Sequence, residues 1–242
     1  MRSYKIDEGV LLEYSGNAAQ PSIPKNVTEI GVWAFYYCTT ITSIKIPESV
    51  TKIGNSAFRG CTNLQNIEIP NSVTEIGWGA FDGCKNLTSI NISDSVTRID
   101  DNAFRGCEKL NSINIPNSVS HIGHCAFDCT IVKPQYNPNG SLRAFKAFFK
   151  DWTCRRFQYE VGKSYHQDGN IICCSNGFHA CQNPMDIFNY YGGDLDSLHF
   201  AEVELSGDMD KDFDKIAASD IRIVRELTIS ELAEIYNSME KC

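Results

Sequence analysis

Cys173, Cys174, His179 and Cys181 fall within nine residues of one another, with Cys154 and His166 a short way upstream. Thiolate and imidazole are the ligands zinc selects, and a cysteine beside a histidine is also the pair a nucleophilic enzyme uses. The spacing argues against both. Zinc ligands recur as pairs two to four residues apart, whereas here the first two are adjacent, the histidine follows five positions later, and one residue separates it from the last thiol. A nucleophilic site also needs a third group to orient the histidine, and the stretch holds the right residue types in no recognised order. No metal is expected, and a buried cysteine in a strand is the expected state of this cluster. The acidic run "DMDKDFD" opens like a calcium loop, but Phe213 stands where such a loop requires glycine and Ser219 where it closes on glutamate, so a solvated acidic turn is expected.

A second set of thiols belongs to a repeat. "AFRGC" occurs at Ala57 and Ala103 and "AFDGC" at Ala80, because the chain repeats every 23 residues from Pro24, with copies opening at Pro47, Pro70, Ser93 and Pro116. The aligned copies give a column of Val27, Val50, Val73, Val96 and Val119. Another holds Ile30, Ile53, Ile76, Ile99 and Ile122, and a third Phe35, Phe58, Phe81, Phe104 and Phe127. One coil of this length cannot bury its apolar side alone, so equal rungs at equal spacing predict a solenoid with a shared interior. "LTSINI" alternates as a short strand, and its stacked copies predict a parallel sheet along one face, with "SVTEIG" a shorter extended segment. Cys38, Cys61, Cys84 and Cys107 form one column, with Cys129 one place early in the last coil. A row of equivalent positions spreads ligands along a line, so these thiols are read as small hydrophobes in a structural ladder. The glycines before them, Gly60, Gly83 and Gly106, suit a turn with positive φ.

"IPNSVTEIGWGAFDGCKNLTSINI" resembles the BspA-like leucine-rich repeat, and the resemblance runs over residues 10–134 with "GVLLEYSG" as an N-terminal cap. It implies a leucine-rich-repeat solenoid acting as a protein-recognition scaffold. Contact with a partner then falls to the columns that vary between copies. Trp33, Tyr36 and Tyr37 crowd the first coil and Trp78 stands two coils on, while Arg59, Asp82, Arg105 and Asp128 alternate in sign along their column. Aromatic and Arg side chains dominate interface energetics, so Trp33, Tyr36, Tyr37, Trp78, Arg59 and Arg105 are the candidate partner-binding residues. The competing readings are that Trp33 and Tyr37 seal the end coil beneath the cap, and that the charged column forms solvated ion pairs between coils.

The period stops at residue 134. "KPQYNPNGS" reads as a linker over residues 135–144, and residues 145–242 as a small α+β domain, so the whole chain is α+β: a repeat array followed by a mixed unit. "LRAFKAFFKDW" carries apolar residues at helical spacing and is expected to cap the open end of the array. "RFQYEVG" and "FAEVELSG" read as strands, "NPMDIFNYY" as a short helix, and "TISELAEIYN" as a helix opened by a capping box of Thr228 and Glu231. "CRRFQYEVGKSY", "CSNGFHACQNPMDIFNYY" and "AEVELSG" together resemble a domain of unknown function found at the C-terminus of phage-encoded proteins, over residues 145–232. This implies a viral setting, and with it a host-takeover or anti-defence role. "GFHACQNPMDIFNYY" is also loosely similar to the nicotinamide-holding segment of ADP-ribosyltransferases. That similarity would cast Arg155 or Arg156, His179, Tyr190 or Tyr191, and Glu202 or Glu204 in the site; Arg156, His179, Tyr190 and Glu204 are the catalytic candidates it yields.

The formal charge of the 242-residue chain is −8; 13 of its 30 acidic residues precede Lys133 and 17 follow, while the 22 basic residues divide evenly there. An acidic chain without a basic stripe lacks the electrostatic means to hold nucleic acid directly. The opening "MRSYKIDEGVLLEYSGNAAQ" has no apolar core of a secretory signal, and no apolar run approaches a membrane span, so the expected address is the cytoplasm, of a host cell if the chain is viral. Eleven cysteines, an odd number, then read as reduced thiols. The expectation is an intracellular protein that works by binding another protein, uses no cofactor and is not an enzyme. An ADP-ribosyltransferase-like enzyme that binds NAD or ADP-ribose, with the repeats as its targeting module, is the alternative.

Overall fold

A computed structural model describes residues 3–127, 132–155, 157–212 and 214–240. The chain divides into two compact units, Met1–Thr130 and Ile131–Cys242.

The first unit is a β-solenoid of leucine-rich-repeat type. It opens with the antiparallel hairpin Tyr4–Asp7 and Val10–Tyr14, whose second strand pairs in parallel with Glu29–Ile30. Each later coil adds one rung to that ladder, so that Ile30, Ile53, Ile76, Ile99 and Ile122 lie in register 23 residues apart. A second parallel ladder aligns Ile44, Ile67, Ile90 and Ile113. In each rung the isoleucine points inward and its neighbours outward, the period-two alternation of a sheet with one buried face.

Between the two ladders the Phe column forms a continuous stack. Successive rings of Phe35, Phe58, Phe81, Phe104 and Phe127 lie 4.8, 5.2, 5.2 and 5.3 Å apart, with interplanar angles of 7° or less. That separation follows from the spacing of parallel strands, about 4.8 Å, which leaves identical rings in van der Waals contact. Tyr14 is the next ring beyond Phe35, at 5.2 Å, and is itself buried. The hairpin therefore closes the apolar stack at its N-terminal end.

The thiol column is structural, as its spacing implied. Cys61, Cys84 and Cys107 are wholly buried, and their thiols donate to the carbonyls of Phe35, Phe58 and Phe81 at 3.0, 3.2 and 3.3 Å. Burial pushes the Cys61 thiol up to about 12 and Cys84 well above its ordinary value, so neither is a thiolate at neutral pH. Cys129 lies outside the described residues. Gly60, Gly83 and Gly106 have φ of 73°, 73° and 65°, the left-handed turn expected of them.

The second unit is built on one antiparallel sheet that closes on itself. Leu142–Phe149 pairs with Leu198–Asp212, which pairs with Lys215–Leu227; this strand pairs with Phe178–Cys181, which returns to the first through Phe145 and Cys181. Ser164–His166 extends the sheet beside Lys215–Leu227. The interior is filled by Leu142, Ala144, Phe148, Val203, Leu205, Ile221 and Ile223. The helix Ile229–Ser238 starts at the capping box read from the sequence: the Glu231 N–H donates to Thr228 Oγ1 at 3.2 Å and the Thr228 N–H to the Glu231 carboxylate at 2.7 Å. It packs against the 3-10 helix Pro184–Asn189, which Asn183 caps. Among the described residues no helix is long and apolar enough to cross a membrane.

Four expectations are corrected here. "LRAFKAFFKDW" holds a strand, Leu142–Phe149, and not a helix. Its buried residues occur on both faces, and two packed faces remove the alternation that marks a strand in sequence. The expected linker is the start of this unit: Gln135–Tyr136 pairs with Arg143 and Leu142 across a turn at residues 137–141 in which Gly140 has φ +83°. Residues 208–212 of the acidic run are extended chain at the end of Leu198–Asp212, and Asp210 accepts the Cys173 N–H at 2.8 Å. "RFQYEVG" contributes only the two-residue strand Phe157–Gln158.

Candidate functional site

The repeat unit exposes an aromatic edge. Trp33, Ser56, Gly79, Asn102 and Cys125 occupy one column, and every one of them has φ between 53° and 60°. Tyr37 heads the column that continues as Gly60, Gly83 and Gly106, and its φ is 54°. Left-handed backbone costs a side-chain-bearing residue roughly 1–2 kcal/mol relative to glycine. At both turns the first coil thus carries a bulky ring where sister coils use smaller residues, glycine in the Tyr37 column and Ser, Gly, Asn or Cys in the Trp33 column. Backbone bonds to the next coil hold the geometry: the Trp33 and Tyr37 N–H groups donate to the Asn55 and Arg59 carbonyls at 3.1 and 2.8 Å.

Trp33 and Tyr37 remain 63% and 58% exposed. They do not seal the coil end, a role taken by Tyr14. The Tyr37 ring meets Tyr36 edge-on at 4.6 Å and covers Gly60, where an added Cβ would come within 2.9 Å of it. Trp78 is 41% exposed, with the Arg59 guanidinium 5.8 Å from its ring and bound on its other side to Asp82 at 3.1 Å. Arg59 and Asp82 therefore form the inter-coil pair that the alternating charges implied. Arg105 makes no ion pair among the described residues, and Asp128 lies outside them. Trp33, Tyr36, Tyr37, Arg59 and Trp78 line one edge of three successive coils, with roughly 10 Å between the first and third from the strand spacing. Sequence reasoning found these side chains but missed their backbone conformation, although the glycines at the same columns in later coils were the available signal.

The second unit holds a cavity of about 60 Å³ whose lining includes Lys146, Arg155, His179, Tyr190, Tyr191 and Lys215. Two of the catalytic candidates, His179 and Tyr190, are here. Arg156 lies outside the described residues. Glu204 lines a different recess, where Arg222 binds it at 3.3 Å and Asn137 at 3.2 Å. Glu202 is likewise engaged, by Arg143 at 2.7 Å and Arg225 at 3.2 Å.

His179 is buried, and its Nε2 accepts the Cys174 N–H at 2.8 Å while the Gly177 carbonyl also hydrogen-bonds the ring. Burial first, then the charges of Arg155, Lys146 and Lys215, pull its pKa down to about 4, so it is a neutral ring at pH 7. The cysteines of this region do not converge on it. Cys174 is exposed, Cys173 donates weakly to the Lys215 carbonyl at 3.7 Å, and Cys154 meets the Tyr191 hydroxyl at 3.2 Å. Burial holds the Cys181 thiol well above its ordinary value. No metal-holding group of His, Cys, Asp or Glu occurs among the described residues.

Lys146 was not singled out by the sequence. It is 4% exposed, and its Nζ donates to the His179 carbonyl at 2.7 Å. Burial lowers its pKa, opposed in part by the neighbouring Cys154 thiol. Lys215 Nζ sits 3.3 Å from the centre of the Tyr190 ring, whose hydroxyl donates to Asp214 at 2.5 Å.

Both units have recognisable kin. Residues 9–133 match the BspA type leucine rich repeat region, in six copies, and residues 142–235 match a domain of unknown function, DUF7666. The chain belongs to the BspA-type leucine-rich repeat family, with that second domain following the repeats. Among solved structures, a leucine-rich repeat protein of T. pallidum is 33% identical, over 50% of this chain and 61% of the other, at a TM-score of 0.49. A leucine-rich cell surface protein of Faecalibacterium prausnitzii is 41% identical, over 50% of this chain and 32% of the other, at 0.48. The chain thus spans less than two thirds of either relative. No curated protein is significantly similar to it.

Proposed function

We infer that the repeat unit is a protein-recognition module whose contact face is the aromatic edge of its first three coils. One observation carries this reading: Trp33 and Tyr37 keep large, half-exposed rings in left-handed turns where later coils place smaller residues, glycine throughout the Tyr37 column and Ser56, Gly79, Asn102 and Cys125 in that of Trp33. A chain that needed only the turn is better served by glycine, so the strain is retained for what the rings touch. Tryptophan, tyrosine and arginine are the residue types that anchor interfaces, and a rigid scaffold presents them at little entropic cost. Wild-type protein and a Trp33→Ala/Trp78→Ala variant, used as baits in host-cell lysate, test this. A protein retained by the first and lost by the second, at equal melting temperature, supports the reading; equal capture sinks it.

The setting we assign is intracellular, and the specific form a host-directed, anti-defence role of a phage-encoded protein. Supporting it are the nine described cysteines, all free thiols, which suit a reducing compartment, and the likeness of residues 145–232 to a domain of phage-encoded proteins. The cell-surface relative from F. prausnitzii pulls the other way. Recovery of an envelope or secreted protein as the specific partner would reverse the assignment.

The transferase alternative rests on the cavity that gathers Arg155, His179 and Tyr190. Its glutamate is missing from that gathering, since Glu204 is tied to Arg222 and Asn137 elsewhere. Titration with NAD and an assay of ADP-ribose transfer to lysate proteins decide it, and no heat with no transfer removes it.

A further inference from the structure

We propose that the cavity of the second unit is a binding site for a phosphoryl group, free or at the end of a small ligand, held by Lys146, Lys215 and Arg155. Lys146 forms its floor, Lys215 is half-buried on one wall, and Arg155 stands exposed at the mouth.

Three cations converge on one small space, and none is neutralised: among the described residues no carboxylate pairs with Lys146, Arg155 or Lys215. The partners Lys146 does have are the His179 carbonyl and the Cys154 thiol, and two bonds leave one of its three donors unspent. A buried ammonium without a counter-charge is costly, which is why burial lowers the Lys146 pKa, and an anionic ligand entering the cavity would favour the charged form again. Two carboxylates lie nearby and their charges reach the cavity-lining Cys181, but neither forms an ion pair with the three cations. Asp214 holds the Tyr190 hydroxyl and the Asn189 amide, and Asp186 accepts from Asn183.

Size and shape select the ligand. A cavity of about 60 Å³ is several times the roughly 10–15 Å³ that a single water needs, room enough for one compact tetrahedral head group. Arginine's planar fork matches phosphate oxygens in pairs, while lysine supplies point charge from below. Arg155 has φ +49°, as the tight hairpin turn between Thr153–Cys154 and Phe157–Gln158 requires. Tyr190 and Tyr191 flank the cavity, so whatever carries the phosphoryl group would leave it past aromatic surface.

The test is calorimetric titration of the full chain with inorganic phosphate, pyrophosphate and ADP in turn, at constant ionic strength, with sodium chloride as control. Saturable binding of at least one is expected, with affinity falling about tenfold or more in Lys215→Met and in Arg155→Gln. Lys146→Met is expected to lose more. If it fails to fold, the exposed Arg155→Gln variant carries the decision. Binding of inorganic phosphate identifies the free ion as sufficient; binding of ADP or pyrophosphate alone identifies a larger ligand whose terminal group enters the cavity. No saturable heat up to about 10 mM, a limit near 3 kcal/mol of affinity, overturns the proposal. So does binding that both Arg155→Gln and Lys215→Met leave unchanged.

Discussion

The thiol of Cys84 donates to the carbonyl of Phe58 in the preceding coil at 3.2 Å. The same bond links Cys61 to Phe35 and Cys107 to Phe81, so each thiol satisfies a carbonyl just where the aromatic stack passes from one coil to the next. A thiol used in this way is shielded and protonated. Under native alkylation at pH 8, Cys174, which is exposed, is expected to react first, and Cys61, Cys84, Cys107 and Cys181 only on unfolding. Peptide mass spectrometry over a time course reads the order. Modification of any ladder thiol at the rate of Cys174 contradicts the structural assignment.

Phe81 lies between Phe58 and Phe104, 5.2 Å from each, and is wholly buried. Phe81→Ala removes both contacts and leaves a cavity that the coils above and below cannot close, because their register is fixed by two backbone ladders. A loss of about 3–5 kcal/mol is expected by denaturant titration. A loss below about 1 kcal/mol would mean that the array relaxes around the gap and that the stack is not its core.

Trp33 and Tyr37 invert the usual relation between a large side chain and stability. Replacing either by glycine relieves a left-handed turn, which offsets the entropy glycine adds to the unfolded chain. Trp33→Gly and Tyr37→Gly are therefore expected to hold or raise the melting temperature while weakening capture of the partner by tenfold or more. A melting temperature that drops by several degrees in both variants would show that the rings support the coil and are not held out for contact.

How far these features could be read in advance differs between the two units for a physical reason. The solenoid was legible because its core is periodic: Val27, Ile30 and Phe35 recur with the same spacing, and any one coil predicts the next. Leu142–Phe149 was not. Buried on both faces, it shows no alternation, and Leu142, Phe145, Phe148 and Phe149 happen to fall at helical intervals. The aromatic edge was half legible, since side-chain types mark an interface but φ is hidden unless a glycine in the same column is noticed. The cavity was hidden altogether. Its cations, Lys146, Arg155 and Lys215, come from three separate strands and turns, and only closure of the sheet brings them together. One trace existed in sequence, a lysine set between Phe145 and Ala147 in an apolar run, a place where a charge is expensive unless something uses it.

His179 supplies a pH signature for that cavity. Its pKa in the folded chain is about 4, lowered by burial and by Arg155, Lys146 and Lys215, against roughly 6.5 when unfolded. Between those values the unfolded chain binds the extra proton, so stability falls as pH drops from about 6.5 toward 4 and loses nothing more from this group below that. His166 acts in the opposite sense. Its hydrogen bonds to Asp220 and Asp168 raise its pKa, so its contribution is present at low pH and disappears as pH rises through the folded value. The two are separated by following the imidazole resonances in the native protein. His166 is expected to titrate above its ordinary midpoint and His179 to stay neutral down to about pH 5, while His179→Gln removes part of the acid sensitivity of the denaturation midpoint. A His179 resonance that titrates near 6.5 would place the ring in solvent, and with it would go the closed, cation-lined pocket.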